Sequence, residues 1–167
     1  GAFDLNNGTD YAAAVMPYYT ISYNQAPDGT NVGNSYNKYI ITDLLREKYG
    51  YDGVVCTDWM ITADAKDDAS FTGKCWGVED LTVDERHYLA LQAGVDQFGG
   101  NNDKNPVIAA YNMWVEDFGK ESADQRFEDS ARRLLRNIFN PGLFENPYLD
   151  PVESTEIVGN QTFMAEG

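Results

Sequence analysis

The sequence predicts an α/β fold in which short parallel strands alternate with amphipathic helices. Three short runs, 14–16, 53–56 and 94–98, are apolar without the clean alternation of a strand that has one wet face. Such runs are typical of strands covered on both faces. A helical repeat of apolar residues follows each run. The alternation favours a parallel sheet connected by right-handed crossovers, and it fits both a doubly wound sheet and a (β/α)8 barrel.

The first two predicted helices have start or stop signals. In 35–49 the apolar residues form one stripe, and Gly50 suits the C-terminal stop because glycine readily adopts the left-handed conformation found there. Thr82 and Glu85 have the spacing of a capping box, in which each side chain bonds the other residue's backbone N–H. We therefore expect a second helix that opens at Thr82 and ends before Gly94.

Two further helices are predicted in the second half of the chain. Asn105 is the expected N-cap of the third, with Pro106 in its first turn and Gly119 at its end. Ser122 and Gln125 repeat the capping-box spacing and predict the start of the fourth. The apolar stripes of these two helices are Val107, Tyr111, Trp114 and Phe118, then Phe127, Ala131, Leu134 and Ile138.

Composition and charge exclude several classes of partner. The chain has 167 residues and a net charge of -15, which argues against nucleic acid and against an anionic membrane surface, because both need a basic face. No apolar run in the sequence approaches the roughly 18 residues of a membrane span. Cys56 and Cys75 are too few for a disulfide framework, and Cys56, inside an apolar run, is expected to be a buried thiol.

A carboxylate and an indole, Asp58 and Trp59, directly follow the second apolar run. In both parallel architectures ligands bind at the carboxyl ends of the strands, so Asp58 can enter a ligand cleft. An Asp after a strand also suits the N-cap of a following segment, and the residues alone leave both roles open. About three strand–helix units are present and a barrel needs eight. We therefore expect a piece of a larger fold, completed by missing sequence or by another copy of the chain.

Four segments of the chain carry a family resemblance. They are AVMPYY, ITDLLREKYGYDGVVCTDW, ALQAGVDQF and ARRLLRNIFNPGLFENPYLDP, in this order, over about 15–150. Together they resemble the latter part of the barrel domain of glycoside hydrolase family 3, the β-glucosidase-like enzymes. The resemblance implies that 1–140 is the C-terminal part of a (β/α)8 TIM barrel. It also implies that 141–167, which is rich in proline at its start and without helical periodicity, is a linker toward a missing α/β-sandwich domain.

The chemistry that the resemblance implies is a retaining double displacement by an exo-acting β-glycosidase. Asp58 matches the family's nucleophile, and in such enzymes a second carboxyl group about 5–5.5 Å away acts as general acid and base. That second group belongs to the sandwich domain, outside this chain, so the isolated chain is expected to be inactive. The alternative is a non-catalytic carbohydrate-binding relative of the same fold, which would need no nucleophilic carboxylate.

The resemblance also assigns the aromatic residues around Asp58. Tyr19 matches the tyrosine that hydrogen-bonds near the nucleophile, although Tyr18, where the family usually has a small residue, leaves the choice between the two open. Trp59 is expected to form an apolar wall beside the sugar, with core packing as the alternative. Trp76, in the long loop 66–82, is expected to stack on an outer sugar or else to anchor that loop.

Supporting residues and partners complete the expectations. Met16 is expected to pack under the site and Asp96 to support it from behind, whereas His87, the only histidine, is assigned to surface or helix packing. No cofactor and no metal site are expected. The expected partners are an oligosaccharide or β-glycoside substrate and either the missing parts of the enzyme or another copy of the chain. Oligosaccharide chemistry and the acidic surface favour a bacterial periplasm or exterior.

Overall fold

The computed structural model describes residues 11–65 and 72–167. The chain divides into two compact units, Gly1–Leu134 and Leu135–Gly167, and each is described by itself. Among the described residues, no helix is both long enough and apolar enough to cross a membrane. Residues 66–71 of the predicted long loop lie outside the described part of the chain.

The sheet of the first unit is small and parallel. Strand β1, Ala14–Val15, pairs with β2, Val54–Val55, so that Ala14 lies opposite Val54. Next to β2, Gln97 forms a single parallel bridge with Cys56. The α/β fold and the parallel pairing are therefore confirmed, but the third predicted strand is reduced to one bridged residue. All three segments run in the same direction, so their carboxyl ends meet at one edge of the sheet.

The first predicted helix is divided into two pieces. A 3-10 turn spans Asn34–Tyr36, and a wide helix of the π type spans Tyr39–Lys48. The break lies at Asn37, whose backbone is extended and whose Oδ1 accepts the Ile40 N–H at 3.2 Å. A side chain that bonds the backbone locally competes with the regular helical ladder, which accounts for the break.

The second predicted helix, α1, spans Val83–Ala93 and confirms the capping box. The Glu85 N–H donates to Thr82 Oγ1 at 3.3 Å, and the Thr82 N–H donates to Glu85 Oε2 at 2.7 Å. Gly94 ends the helix in the left-handed conformation, with φ +111°. The boundary was predictable because every interaction that defines it lies within four residues of the helix ends.

The next two helices exist, but both N-cap predictions are wrong. Helix α2 spans Asn105–Phe118, and its N-cap position is Lys104, one residue earlier than expected, without a side-chain cap. The Asp103 carboxylate accepts the Asn105 N–H at 2.9 Å just before the helix. Helix α3 spans Lys120–Phe139 and begins directly after Gly119. Ser122 does not cap it, because the Ser122 hydroxyl accepts the Trp114 indole N–H at 3.0 Å.

The core of the first unit surrounds β2 and α1. Its buried members are Tyr36, Ile41, Tyr51, Val55, Ile61, Cys75, Val78, Ala90, Ala93 and Val95. Cys75 is fully buried and Cys56 only partly so, and both are free thiols. The expected burial of Cys56 is therefore only partly met, and Cys75 is the thiol enclosed in the core.

The second unit contains two short helices where a linker without helical periodicity was predicted. Helix α4 spans Pro151–Ile157, and Asp150 caps it by accepting the N–H groups of Val152 and Glu153. Helix α5 spans Gln161–Glu166, with Asn160 as its N-cap. Many large apolar side chains of this unit are exposed, among them Phe144, Tyr148, Leu149, Val158 and Met164.

Candidate active site

Asp58 stands just beyond the carboxyl end of β2, three residues after Val55. Its residue exposure is 9%, and its Oδ1 accepts the Trp59 backbone N–H at 2.7 Å. The segment that follows is a turn, so the alternative role of Asp58 as a helix N-cap is wrong. A carboxylate at a strand end, hydrogen-bonded and mostly shielded from water, is the arrangement in which an acidic side chain can meet a ligand.

Tyr19 reaches Asp58 from the end of the neighbouring strand. Burial raises the pKa of the Tyr19 phenol, and its hydrogen bond to Asp58 and the charge of that carboxylate raise it further. Tyr18 is exposed, and the two tyrosine rings are 5.3 Å apart. The Asp58 carboxylate thus acts on the Tyr19 phenol, while the choice of Tyr19 as the family's tyrosine stays a prediction.

The charge of Asp58 also affects the thiol of Cys56, which directly follows β2. Burial raises the pKa of the Cys56 thiol, and the neighbouring Asp58 carboxylate raises it further. Cys56 is therefore held in its thiol form at neutral pH, when it is neither a good nucleophile nor a metal ligand. Within the described residues, no group of three or more His, Cys, Asp or Glu side chains is placed to hold a metal ion.

Trp59 lies on two glycines that follow the third parallel segment. A Cβ on Gly100 would approach the Trp59 ring to 2.2 Å, and one on Gly99 would lie 3.2 Å from it. The Gly99 N–H donates to Thr57 Oγ1 at 2.9 Å, which ties this glycine pair, Gly99 and Gly100, to the end of β2. One part of the indole is thus packed on backbone, yet Trp59 is 50% exposed, which is what a wall beside a ligand requires.

Trp76 is brought to the same end of the sheet by its contact with Tyr19. The two ring centroids are 5.9 Å apart, and Trp76 is 41% exposed. Its backbone also fastens the loop, because the Trp76 C=O accepts the Gly33 N–H at 2.9 Å. The residue therefore anchors the loop through its backbone, while its indole, beside Tyr19, remains accessible to a ligand.

Met16 is exposed among the described residues. It directly follows β1, and its side chain is 52% exposed, so its packing under the site stays a prediction. The physical reason for the exposure is its position at the end of β1. In the described part of the chain β1 pairs only with β2, so its other edge has no neighbouring strand to cover Met16.

Asp96 is the centre of a buried ionic network that sequence reasoning missed. Its Oδ2 accepts Arg46 Nη2 at 2.6 Å and the Val55 N–H at 3.0 Å. Its Oδ1 accepts Ser130 Oγ at 2.7 Å and Arg133 Nη1 at 3.0 Å. By bonding the backbone of β2, Asp96 supports the strand that carries Asp58, while its own carboxylate is fully buried.

A third arginine, Arg126, completes this network at 3.6 Å from Asp96. Burial lowers the pKa of Arg126 to about 10, although Asp96 acts in the opposite direction. For Arg133, burial is outweighed by the Asp96 and Asp52 carboxylates, which raise its pKa. A signal was present in the sequence, because residues 126, 130 and 133 follow the i, i+4, i+7 spacing of one helix face.

A cavity of about 570 Å³ lies beside the candidate site. Its lining includes Thr57 and Met60, which flank Asp58 and Trp59, together with Phe98 and the turn 99–103. Asp58, Tyr19 and Trp59 themselves are not part of the lining. The Asp58 carboxylate stays the candidate reactive group, because reactive groups collect at the strand ends of parallel folds.

His87 is buried in α1, so of the two expectations for it helix packing is the one that is met and a surface position is wrong. Its ring contacts Phe98 and Asn101, which precede and follow the glycine pair that supports Trp59. Nothing in the sequence alone links this histidine to the strand ends, because the contact depends on how α1 returns to the sheet.

Comparison with known proteins gives a family match and several similar proteins. The family described as Glycosyl hydrolase family 3 N terminal domain matches residues 9–137. A protein named Periplasmic beta-glucosidase/beta-xylosidase, from Dickeya chrysanthemi, is 40% identical over 95% of this chain and 25% of its own length. A protein named Probable beta-glucosidase C, from Aspergillus flavus, is 40% identical over 93% of this chain and 24% of its own length. The chain thus spans about a quarter of the length of these relatives.

A solved structure gives the same fold at lower identity. The structure described as Beta-glucoside phosphorylase BglX bound to 2FGlc aligns with 88% of this chain and 25% of its own, with a TM-score of 0.51 and 16% identity. At this identity the likeness bears on the fold alone.

Proposed function

Because the chain belongs to glycoside hydrolase family 3, we propose that it is the nucleophile-bearing segment of a retaining, exo-acting β-glycosidase, with Asp58 as the nucleophile. The single observation that carries the proposal is the position of the Asp58 carboxylate just beyond the end of β2. There it acts on the Tyr19 phenol and accepts the Trp59 backbone N–H. The proposed substrates are terminal β-linked sugars, glucosides or xylosides, in keeping with the names of the relatives.

The proposed reaction proceeds in two displacements. In the first, an Asp58 oxygen bonds to the anomeric carbon as the bond from that carbon to the leaving oxygen breaks, and a general acid protonates the leaving oxygen. In the second, water attacks the same carbon while the former acid takes its proton, and the bond to Asp58 breaks. The nucleophile must be ionised, which a hydrogen-bonded setting favours.

The aromatic residues have separate roles in this proposal. Tyr19 donates its hydroxyl hydrogen bond to Asp58, which orients the attacking carboxylate. Trp59 offers its exposed indole surface as an apolar wall to the sugar ring. Trp76, next to Tyr19, forms a platform for an outer sugar, because an exposed aromatic ring stacks on the apolar face of a pyranose. Asp96 holds the backbone of β2 in place.

We further propose that 1–140 forms the C-terminal part of a (β/α)8 barrel and that 141–167 leads to an α/β-sandwich domain that supplies the acid/base carboxyl group. The consecutive order of three parallel segments, with helices between them, supports the barrel. The remaining barrel segments come from the rest of a longer protein or from another copy of the chain. The relative named as periplasmic supports a periplasmic or secreted location.

Trapping of the glycosyl-enzyme tests the proposal. A 2-fluoro β-glucoside with a good leaving group is incubated with the full-length protein, and the digested protein is examined by mass spectrometry. A 2-fluoroglucosyl mass on the peptide that contains Asp58 is expected, and none in the Asp58→Asn variant. Absence of the label, with sugar binding retained, would instead identify a non-catalytic carbohydrate-binding relative and overturn the enzymatic proposal.

A further inference from the structure

The turn on which the Trp59 indole packs, 98–101, is contacted at both ends by one buried side chain, His87. Phe98 precedes the glycine pair, and its ring centroid lies 4.3 Å from that of His87. Asn101 follows the glycine pair, and its Nδ2 lies 2.8 Å from His87 Nε2. Because His87 is fully buried in α1, the two contacts that flank the glycine pair converge on a single, rigidly packed imidazole.

The hydrogen bonds around His87 require a neutral ring. His87 Nδ1 lies 2.8 Å from the Val83 carbonyl, which can only accept, so Nδ1 carries the proton. In the neutral ring Nε2 then offers a lone pair to the Asn101 amide N–H. Asn101 Oδ1 is already occupied, because it accepts the Asp103 N–H at 2.9 Å. A second proton on Nε2 would face the Asn101 amide hydrogens, and turning that amide over would break its bond to Asp103.

We propose that His87 is a positioning residue for the candidate active site, whose neutral ring sets the glycine pair under Trp59 and whose protonation releases that indole. The inference rests on the proposed function only in giving Trp59 a place beside the sugar. Burial lowers the pKa of His87, and it outweighs the opposing effects of the Val83 hydrogen bond and of two carboxylates, Asp84 on α1 and Asp103 on the turn.

The sign of the pH effect follows from that direction. In the unfolded chain the ring protonates near its ordinary pKa of about 6.5, whereas in the folded chain it resists protonation until a lower pH. The contribution of the neutral ring is therefore fully present above about pH 6.5. It is lost as the pH falls through the lower pKa of the folded state, and Trp59 loses its support over the same range.

The composition of the chain makes the test direct, because it has one histidine and three tryptophans. An NMR titration of the chain from about pH 8 to about pH 4.5 follows the imidazole signals and the three indole N–H signals, with Trp59→Phe identifying the Trp59 signal. We expect the His87 ring to titrate below its ordinary value and the Trp59 signal to shift with the same midpoint. The Trp76 and Trp114 signals should not follow it.

Two variants separate positioning from a general structural role. His87→Gln keeps an acceptor for Asn101 but cannot titrate in this range, so the Trp59 signal should stay native and lose its pH dependence. Asn101→Ala leaves the ring titrating but removes the link, so the Trp59 shift should fall to less than half. Tyr111→Phe, which removes a hydrogen bond to Asp124 remote from the turn, is the matched control and should preserve the coupling.

Three outcomes of the titration overturn the inference. A Trp59 signal that ignores the His87 midpoint would do so, as would a pH dependence retained in His87→Gln. Three indole signals that collapse together would show that acid unfolds the chain as a whole. A labelled Asp58 without this coupling would remove only the role of His87, whereas coupling without a labelled Asp58 would remove only the nucleophile, so the two proposals fail separately.

Discussion

At the scale of single residues, the backbone is strained on both sides of Asp58. Tyr18 and Met60 have φ values of +66° and +63°, in the left-handed region that bulky residues rarely adopt. Each such conformation costs about 1–3 kcal/mol, and strain of this kind collects at functional sites. One strained residue precedes Tyr19 and the other follows Trp59, so each of the two turns that carry the site's side chains contains a left-handed residue.

The role proposed for Tyr19 predicts that removal of its hydroxyl group strongly lowers kcat/KM. A hydrogen bond to a charged group contributes about 1.5–3 kcal/mol, so Tyr19→Phe should lower kcat/KM of the full-length enzyme by about 10- to 150-fold. Tyr18→Phe, the adjacent control, should change it by less than about threefold. Steady-state hydrolysis of an aryl β-glucoside measures both. A greater loss of kcat/KM in the Tyr18 variant would show that the role belongs to Tyr18 and that the proposal for Tyr19 is wrong.

The close approach of Trp59 to the glycine pair predicts that Gly100→Ala destabilises the chain for two reasons, the left-handed backbone and a clash with the indole. A left-handed alanine costs about 1 kcal/mol, and the clash with the indole, at 2.2 Å from the added Cβ, should add about 1–3 kcal/mol. Gly50 has the same φ of +68° with no atom within 4 Å of an added Cβ. Gly50→Ala therefore isolates the backbone cost. Equal free energies of unfolding for the two variants in urea would show that Trp59 moves aside freely.

At the scale of elements, Asp96 joins the π-helix, β2 and α3 through one carboxylate. Its partners Arg46 and Arg133 lie 50 and 37 residues away along the chain. The capping box at Thr82 predicted where α1 begins, because its two partners are three residues apart. The network at Asp96 escaped prediction because its members come together only after the helices have packed on the sheet.

The same network predicts that Asp96→Asn strongly destabilises the fold. Removing one charge of a buried ion pair costs about 3–5 kcal/mol, because the partner charges stay buried without compensation. Asp43→Asn removes an exposed carboxylate paired with Lys38 and should cost less than about 1 kcal/mol. Urea unfolding followed by circular dichroism compares the two. A small effect at Asp96 would mean that solvent or rearranged arginine side chains compensate for the lost charge.

At the scale of the whole molecule, the sequence predicted the alternating α/β pattern and the strand end that carries Asp58. Apolar runs and helix signals are properties of neighbouring residues, and they were enough to identify β1, β2 and α1. The pattern did not reveal that Met16 is exposed or that His87 contacts the turn under Trp59. Each of these depends on which edge or helix face finds a partner, and that is decided by packing between distant parts of the chain.

The division of the proposed machinery predicts that the chain alone has no useful glycosidase activity. In the proposal, Asp58 supplies the nucleophile and the general acid that assists departure of the aglycone comes from a domain outside this chain. Such assistance contributes about 10²–10⁴-fold to the rate. Missing parts of the sugar site lower the rate further by loosening substrate orientation. The purified chain is assayed on an aryl β-glucoside beside its Asp58→Asn variant, and both should match the buffer blank. Turnover by the chain that disappears in Asp58→Asn would mean that its own residues, or those of a second copy, assemble a complete site.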